Sequence, residues 1–394
     1  MVKKHWKQQT RLVHEGQKRS PHGETAEAMY LTSGYVYDSA EQAEARFREE
    51  DDGFIYSRFG NPTVRAFEER MIALEGTQDA RATATGMAAV TATMMSQLQT
   101  GDHIVAARAL FGSCRYVVET LMPKFGVACT LVDGRDIDAW KAAIRPETKV
   151  LFLETPSNPL LEIVDMQAVA DLAHENGARL VVDNVFATPI LQRPTDFGAD
   201  IVVYSATKHI DGQGRCLGGV ILGDQSFIQD ELANFLRQTG PSLSPFNAWV
   251  MLKALETLAL RVDAHCHNAE KLTEFLVNHA QIERVYYPSH ASHPQHNLAM
   301  KQMSRGGNLI AFDVKGGKAN AFKFANALQI ALISNNLGDA KTLITHPATT
   351  THFKLDEAAK TELGITGGSM RVSIGLEDGD DLVHDFDQAL AQLA

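Results

Sequence analysis

Residues 199–222 read ADIVVYSATKHIDGQGRCLGGVIL, and the fold assignment starts from them. Its early part, residues 201–204, is a short apolar and mostly β-branched run of the kind that forms a buried strand. The run stops at Ser205, so Lys208 comes at a strand end, where α/β proteins meet their ligands. The hydroxyls of Ser205 and Thr207 stand close enough in sequence to that amine to bind an anionic group beside it.

Two interpretations of this stretch remain open. Four glycines allow backbone to pass close to a bulky ligand, namely Gly212, Gly214, Gly218 and Gly219. With the hydroxyls beside the amine, they are typical of a lysine that forms a Schiff base with pyridoxal phosphate. The same Ser-x-Thr-Lys pattern could also simply begin a capped helix. Distant parts of the chain must decide between the two.

Length and composition favour a soluble protein of two packed lobes. The chain has 394 residues, of which 44% are hydrophobic, and a net charge of −11. That charge gives no electrostatic support to binding of nucleic acid or of an anionic membrane. The four cysteines form no C-x-x-C pair, and no apolar run is long enough to cross a bilayer. We therefore expect a cytoplasmic protein with small-molecule partners.

The chain between residues 103 and 222 alternates between short apolar runs and helix-like segments. The runs have the length of buried strands and lie at residues 103–107, 127–132, 150–153, 180–182, 201–204 and 220–222. A helix-like segment at residues 165–176 ends at Gly177. This alternation predicts an α/β lobe with a mostly parallel sheet that is covered on both faces.

Polar or aromatic residues follow several of these strands. Asp183 is well placed to pair with a protonated pyridine nitrogen and so hold the ring as an electron sink, and Asn158 could donate to its phenolic oxygen. The alternatives are a helix N-cap for Asp183 and a turn residue before proline for Asn158. Phe111 could stack on a flat cofactor, or it could pack in the core.

Two further segments could bind phosphate. Tyr56 and Arg58 are two apart in an extended segment before a helix expected at residues 62–74, so both could grip one anion. A surface arginine beside a packing tyrosine is the alternative. Gly86 and Met87 open a second predicted helix, where backbone N–H groups and the helix dipole favour phosphate. A helix that needs small residues for packing explains that stretch equally well.

Beyond residue 237 the sequence no longer shows the alternation of short apolar runs and helix-like segments. A long helix is predicted over residues 247–276, followed by an α+β C-terminal part. Its elements are strands at residues 309–314 and 370–374 and helices at residues 319–328 and 381–393. Arg371, on the last strand, is a candidate for binding a substrate carboxylate, with an ordinary salt bridge as the alternative.

The histidine groups do not indicate a metal site. His265 and His267 flank Cys266 in a predicted helix, where adjacent positions diverge and cannot chelate one ion. Three more histidines, at positions 290, 293 and 296, lie in a proline-containing loop without a carboxylate or cysteine at ligand spacing. We therefore expect no metal.

Taken together, the motifs resemble the pyridoxal-phosphate-dependent family of Cys/Met metabolism. The resemblance runs from Thr10 to the end of the chain and rests on six ordered motifs. They are YSR at Tyr56, TGM at Thr85, ETPSNP at Glu154, VDN at Val182, SATK at Ser205 and MRVSIG at Met370.

The resemblance implies the aspartate-aminotransferase-like fold, which is PLP fold type I. Residues 1–60 would form an arm that contributes to the neighbouring subunit, 61–255 the large PLP-binding domain and 256–394 a smaller C-terminal α+β domain. Lys208 would be the Schiff-base lysine, Asp183 the partner of the pyridine nitrogen and Arg371 the group that binds the substrate α-carboxylate.

The remaining implied roles concern the phosphate, the ring and the assembly. The phosphate would be held by Gly86, Met87, Ser205 and Thr207, and by Tyr56 and Arg58 of a neighbouring subunit in a homotetramer built from two active dimers. Asn158 and Phe111 would bind the ring. Most relatives have a tyrosine with a catalytic hydroxyl where Phe111 stands, so Tyr56 or Lys208 must carry the proton transfers.

Within the family, residues 211–215 and 334–341 most resemble the sulfhydrylases that use O-succinylhomoserine. The implied reaction is a γ-replacement by a transferase of methionine biosynthesis, in which sulfide and the ester give homocysteine and succinate. Cystathionine γ-synthase, O-acetylhomoserine sulfhydrylase and, further away, a methionine or cystathionine γ-lyase are alternatives. From another class, a regulatory module would bind the cofactor without turnover, but Lys208, Asp183 and Arg371 are all intact.

Overall fold

The computed structural model describes residues 6–393, which divide into two compact units. The first comprises residues 6–97, 203–207 and 216–257, and the second comprises residues 98–202, 208–215 and 258–393. Residues 1–5 of the predicted arm and Ala394 of the predicted C-terminal domain lie outside the described residues. The domain boundaries at 60/61 and 255/256 stay a prediction.

The strands of the described chain are β1 (Asp79–Thr83), β2 (His103–Ala107), β3 (Ala128–Val132), β4 (Thr148–Glu154), β5 (Arg179–Asp183), β6 (Ile201–Ser205), β7 (Gly219–Gly223), β8 (Ile282–Tyr286), β9 (Leu309–Val314), β10 (Leu332–Ile333), β11 (Leu343–Thr345) and β12 (Ser369–Ser373). Its α-helices are α1 (Gln8–His14), α2 (Ala40–Phe47), α3 (Pro62–Glu75), α4 (Gly86–Gln97), α5 (Gly112–Tyr116), α6 (Ile137–Ala143), α7 (Met166–Glu175), α8 (Thr188–Leu191), α9 (Ala233–Thr239), α10 (Pro245–Leu255), α11 (Leu258–Val277), α12 (His296–Gln302), α13 (Gly317–Ala327), α14 (Glu357–Glu362) and α15 (Gly379–Ala391). Shorter 3₁₀ or π-helical turns occupy Val117–Leu121, Met122–Phe125, Pro194–Phe197, Phe227–Leu232 and Pro347–Thr349.

The second unit contains four parallel strands in the order β5-β4-β2-β3. The apolar side chains from Val150 to Leu153 on β4 are fully buried, as expected for a strand covered on both faces. Helix α7 packs against β5, and the side chain of Asp165 caps its N-terminus by accepting from the backbone N–H of Ala168. These strands confirm the predicted α/β alternation and its mostly parallel sheet.

The same unit contains a five-stranded sheet in the order β10-β11-β12-β9-β8. Its pairs are antiparallel except β10 with β11. The predicted strand at residues 309–314 coincides with β9. Phe312 on β9 packs between Phe324 of α13 and Phe386 of α15, with ring centroids 5.9 and 6.3 Å apart. Edge-to-face and tilted aromatic packing of this kind anchors the helices on one sheet face and forms the predicted α+β part.

In the first unit, helix α3 begins at Pro62, as predicted. Asn61 caps it by accepting from Thr63, and Gly76 ends it in the left-handed conformation at φ 84°. Arg70, on the buried face of this helix, is fully enclosed and forms an ion pair of 2.7 Å with Glu27. Strand β1 pairs antiparallel with β7.

The long helix predicted over residues 247–276 is wrong in one respect, because the chain breaks it between α10 and α11. The backbone N–H and the hydroxyl of Thr257 both donate hydrogen bonds to the carbonyl oxygen of Ala254, each at 3.3 Å. These contacts three residues apart replace the α-helical pattern of four and end α10.

Residues 1–60, which the resemblance assigns to an arm, contain α1 and α2 in their described part. Helix α2 has a clear capping signal, since the Ser39 hydroxyl accepts from the N–H of Gln42 at 3.2 Å. The Gln42 side chain in turn accepts from the N–H of Asp38 at 2.8 Å. Between Trp6 and Leu393, no helix combines the length and apolar character that crossing a membrane requires.

Candidate active site

Two carboxyl groups lie side by side at the ends of parallel strands β4 and β5. Glu154 and Asp183 are register partners, and their side-chain exposures are low because each residue closes a buried strand. The Asp183 carboxylate accepts a hydrogen bond from the N–H of Val185 at 3.1 Å. Burial raises the pKa of Asp183 to about 7. Burial, and then the charge of Asp183, raises the pKa of Glu154 well above its usual value.

The amine of Lys208 points to the loop before β11. Its Nζ donates a hydrogen bond of 2.5 Å to the carboxamide oxygen of Asn336. Burial, and then the positive charge of Arg371, lowers the pKa of Lys208 to about 8. Roughly a tenth of such amines are neutral at pH 7, against fewer than one in a thousand for an ordinary lysine. The residue is therefore a usable nucleophile and base.

Arg371 is enclosed on β12, with only 2% of its surface exposed. One terminal nitrogen donates to the Asn158 carboxamide oxygen and the other to the Asn335 carbonyl oxygen, both at 2.9 Å. Its Nε has no hydrogen-bond partner within the described chain. Burial lowers its pKa to about 10, so the guanidinium remains charged near neutral pH. An open donor on a buried cation is suited to an anionic ligand group such as a carboxylate.

The positions of Phe111 and Asn158 in the structure bear on the alternative roles considered for them. Phe111 is the residue before α5 and is 37% exposed, so it is not a core residue. Its backbone N–H donates to the Glu154 carboxylate at 2.8 Å. Since the Asn158 carboxamide oxygen is engaged by Arg371, its amide nitrogen is the group that could donate to a ligand.

In the first unit, the N-terminus of α4 approaches the end of β6. A methyl group added to Gly86 would lie 2.5 Å from the Cβ atom of Ser205, so no larger residue fits there. Met87 follows Gly86 in the first turn of the helix. Thr207 is fixed on the nearby loop, where its hydroxyl accepts from the N–H of Gly218 at 3.1 Å. The Ser205 side chain therefore lies against the N-terminus of α4, where backbone N–H groups favour an anion, and the anion cradle stays a prediction.

Tyr56 and Arg58 also come together in the first unit. The Arg58 guanidinium lies 5.5 Å from the centre of the Tyr56 ring and 4.9 Å from that of Phe59. Arg58 donates a hydrogen bond to the backbone carbonyl of Arg237. The Tyr56 ring is 42% exposed. The phenol and the guanidinium are therefore adjacent and accessible from outside the unit.

Sequence reasoning missed three residues of this arrangement: Asn335, Asn336 and Glu154. Glu154 closes an apolar strand as Asp183 does, so the same signal could have found it. The asparagines carry no such signal, because their partners Lys208 and Arg371 are distant in the chain. Within residues 6–393, no group of three or more histidine, cysteine or acidic side chains is arranged to hold a metal ion.

Comparison with known proteins places these features in a family. The Cys/Met metabolism PLP-dependent enzyme family matches residues 9–391. An O-succinylhomoserine sulfhydrylase of Mycobacterium tuberculosis is 51% identical over 96% of this chain and 94% of its own. An L-methionine gamma-lyase of Porphyromonas gingivalis is 40% identical over 98% of this chain and 97% of its own.

A solved structure agrees with the sequence comparisons. It is that of a putative O-acetylhomoserine (thiol)-lyase from Campylobacter jejuni with N'-pyridoxyl-lysine-5'-monophosphate. It matches with a TM-score of 0.94 and 31% identity, covering 98% of this chain and 100% of that one. The α/β architecture is therefore that of PLP fold type I.

The residues present fit pyridoxal 5'-phosphate. The second unit has an amine of lowered pKa and a buried carboxylate at a strand end, which suit an aldehyde and a pyridine nitrogen. The first unit has a helix N-terminus where only glycine fits against Ser205, as close approach of a phosphate requires. The protein is an enzyme that uses this cofactor, and its chain belongs to the Cys/Met metabolism family of PLP-dependent enzymes.

Proposed function

We propose that the enzyme is a transferase that converts O-succinyl-L-homoserine and sulfide into L-homocysteine and succinate, in methionine biosynthesis. The observation that carries the proposal is the combination, in the second unit, of the Lys208 amine, the buried Asp183 and the open donor of Arg371. Choice of substrate is supported by similarity, since the relative named as a succinylhomoserine sulfhydrylase is 51% identical and the one named as a lyase 40%.

Pyridoxal 5'-phosphate is the cofactor of the proposed reaction. Lys208 would bond to its aldehyde carbon, Asp183 would accept from its ring nitrogen, and Asn158 and Phe111 would contact its ring. Gly86, Met87, Ser205 and Thr207 would hold its phosphate. When bound, pyridoxal phosphate supplies the electron sink that makes the Cα and Cβ protons of the amino acid acidic.

The side chains of this protein then bind the substrate and move protons. Arg371 binds the α-carboxylate through its open Nε donor. The Lys208 amine takes the Cα proton, and the carboxamide oxygen of Asn336 holds that amine by accepting a hydrogen bond from one of its N–H groups. Because an acceptor leaves the nitrogen lone pair free, Lys208 can take up and return protons.

The reaction balances without an oxidant. The Cγ–O bond of the ester breaks and succinate leaves with its electron pair, after a proton has been removed from Cα and another from Cβ. Hydrogen sulfide supplies the nucleophile that forms the Cγ–S bond. Both carbon positions then regain a proton, and the proton of the sulfide balances the succinate released.

We further infer that Tyr56 and Arg58 act on the phosphate bound by a neighbouring subunit, in a cytoplasmic homotetramer built from two active dimers. The exposed position of the Tyr56 ring supports this inference. So do the exposed apolar side chains of the preceding segment, in which Leu31 is 65% and Val36 93% exposed. Because Phe111 lacks a hydroxyl, the phenol of Tyr56 is the candidate to assist Lys208 in proton transfer.

Three parallel assays test the reaction. O-Succinylhomoserine is supplied with sulfide, with cysteine, or with neither, and homocysteine, cystathionine and keto acid are measured. Homocysteine from the sulfide assay is the expected main product. Predominant cystathionine identifies a cystathionine γ-synthase, and keto acid without a second substrate identifies a γ-lyase. Competition between succinyl and acetyl esters settles which ester is preferred.

A further inference from the structure

Asn308 occupies a buried junction in the second unit that none of the roles above uses. It directly precedes β9 and is 3% exposed. Its side chain makes one hydrogen bond as acceptor and two as donor, so the carboxamide oxygen and both amide hydrogens are directed to protein groups.

The acceptor contact leads to the catalytic lysine. The Asn308 carboxamide oxygen lies 2.7 Å from Nε2 of His209, the residue that follows Lys208. Since the amide nitrogen of Asn308 is occupied elsewhere, His209 is the donor. Burial lowers the pKa of His209 to about 4, so the ring is neutral and carries its proton on Nε2.

The same lysine segment has a second support. Arg261 donates through Nη1 to the carbonyl of His209 at 2.7 Å and through Nη2 to that of Ile210 at 3.4 Å. Gly338 is packed so closely against the segment after Lys208 that a methyl group added to it would lie 2.6 Å from the backbone nitrogen of His209. These contacts fix the backbone after Lys208. The hydrogen bond between the His209 ring and Asn308 therefore couples the position of Asn308 to that backbone.

The donor contacts lead to the arginine. The Asn308 amide donates to the Ser373 hydroxyl and to the Ile374 carbonyl, both at 3.1 Å. The backbone carbonyl of Asn308 accepts from the N–H of Ile374 at 2.9 Å. Ser373 is two residues after Arg371 on β12, so the two side chains point to the same face of the strand.

A third connection closes the network. The Ser373 hydroxyl accepts from the backbone N–H of Gly338 at 2.8 Å. Gly338 lies in the loop between β10 and β11, whose Asn336 binds the Lys208 amine and whose Asn335 carbonyl binds Arg371. One buried amide thus connects to the backbone beside the lysine, to the strand of the arginine and, through Ser373, to the loop that contacts both.

We infer that Asn308 is a positioning residue that fixes the Lys208 amine relative to the Arg371 guanidinium, and so aligns the substrate Cα with its base. This inference rests on the proposed function, because it assigns Arg371 the α-carboxylate and Lys208 the proton. A shift of an ångström between binding group and base is enough to lower a rate by about two orders of magnitude.

Asn308→Leu tests the inference because leucine has a similar volume and makes none of the three hydrogen bonds. Two quantities are measured: the rate at which cofactor-free enzyme regains its visible absorbance with added pyridoxal phosphate, and KM and kcat for O-succinylhomoserine. We expect reloading to slow by roughly tenfold, KM to rise by roughly tenfold and kcat to fall by at least tenfold.

Asn308→Asp separates the two arms of the network. It keeps the acceptor for His209 and loses the donors to Ser373 and Ile374. Its reloading rate should stay within about threefold of wild type, while KM rises by about tenfold. This variant also serves as the test if the leucine variant does not fold.

Gln302→Leu is the matched control. Gln302 is a similarly buried amide, but its contacts are the carbonyl of Val164 and the N–H of Met166, each at 3.0 Å. It should lower the melting temperature without changing the reloading rate or KM. If Asn308→Leu and Asn308→Asp behave like this control, Asn308 is only structural and the inference is overturned. If the wild type itself makes no homocysteine, the proposed function fails, whereas the reloading rate still decides the role of Asn308 at the lysine.

Discussion

The amine of Lys208 and the carboxamide oxygen of Asn336 are 2.5 Å apart, although 128 positions separate the two residues in sequence. The contact sets the direction of the amine, whereas burial and the positive charge of Arg371 set the fraction of it that is neutral.

Replacement of Asn336 should separate orientation from charge. Asn336→Ala removes the acceptor, and we expect kcat to fall by roughly tenfold with a smaller change in KM, because the amine loses its direction but Arg371 remains. Asn336→Asp keeps the acceptor but adds a negative charge that favours the ammonium form. The pH at which the reloading rate is half-maximal should therefore rise in the aspartate variant. Equal half-maximal pH values in all three proteins would contradict the assignment.

The pH dependence of cofactor loading follows from Lys208 itself. Burial and Arg371 lower its pKa to about 8, and only the neutral amine attacks an aldehyde. The reloading rate of cofactor-free enzyme should therefore rise as pH increases through about 8 and level off above it. Stopped-flow absorbance at fixed pyridoxal phosphate measures this profile. A rate that keeps rising up to the usual lysine range near pH 10 would show that the amine is not perturbed.

Lys208→Ala should abolish turnover and the visible absorbance of the bound cofactor. The chemical reason is that the Lys208 amine is the group that would bond to its aldehyde. Borohydride reduction of the wild type followed by peptide mapping should find the pyridoxyl group on Lys208. Lys341→Ala is a control, since that side chain only pairs with Asp339 at 2.9 Å. Label on a different lysine would refute the assignment.

Glu154 should matter through the backbone of Phe111. Glu154→Ala leaves the Phe111 N–H without its acceptor and frees the aromatic ring that would cover the cofactor. We expect the dissociation constant of pyridoxal phosphate to rise by about tenfold, which corresponds to about 1.4 kcal/mol. Glu154→Gln retains an acceptor and should lie closer to wild type. Equilibrium dialysis of the two variants measures the difference, and equal losses would mean that the charge is what matters.

Acidification should destabilise the fold through buried histidines. Burial is the main cause that lowers the pKa of His209 to about 4, of His265 to about 3 and of His352 to about 4. Below about pH 6.5 the unfolded chain binds protons at these positions while the folded chain does not, so stability falls as pH drops from 6.5 towards 4. Asp183 and Glu154, whose pKa values burial raises, act in the opposite direction, so the histidine contribution is measured by difference. The melting temperature of the wild type should decline over that window more steeply than that of a His265→Leu variant, and equal slopes would contradict these directions.

The sequence predicts those parts of the fold and site whose signal is local. Apolar runs locate the buried strands, and β2 and β9 coincide with the predicted runs. Asp183 is found because a polar residue closes such a run. The break before α11 depends on the Thr257 hydroxyl bonding to Ala254, and helical periodicity does not register that contact. The partners of Asn308 and Asn336 are distant in sequence and come together only in the folded chain. No local pattern in the sequence predicts these contacts.

The enclosed guanidinium of Arg70 has a consequence for how the N-terminal segment is held. Besides its ion pair with Glu27, it donates to the carbonyls of Glu15 and Leu252, at 2.9 and 3.0 Å. Detachment of residues 15–27 would remove Glu27 and leave the Arg70 guanidinium as an unpaired charge in a buried site. The cost is about 3–5 kcal/mol. Detachment of that segment is thus linked to the melting of α3 and α10, and limited proteolysis should leave it intact until the whole unit opens.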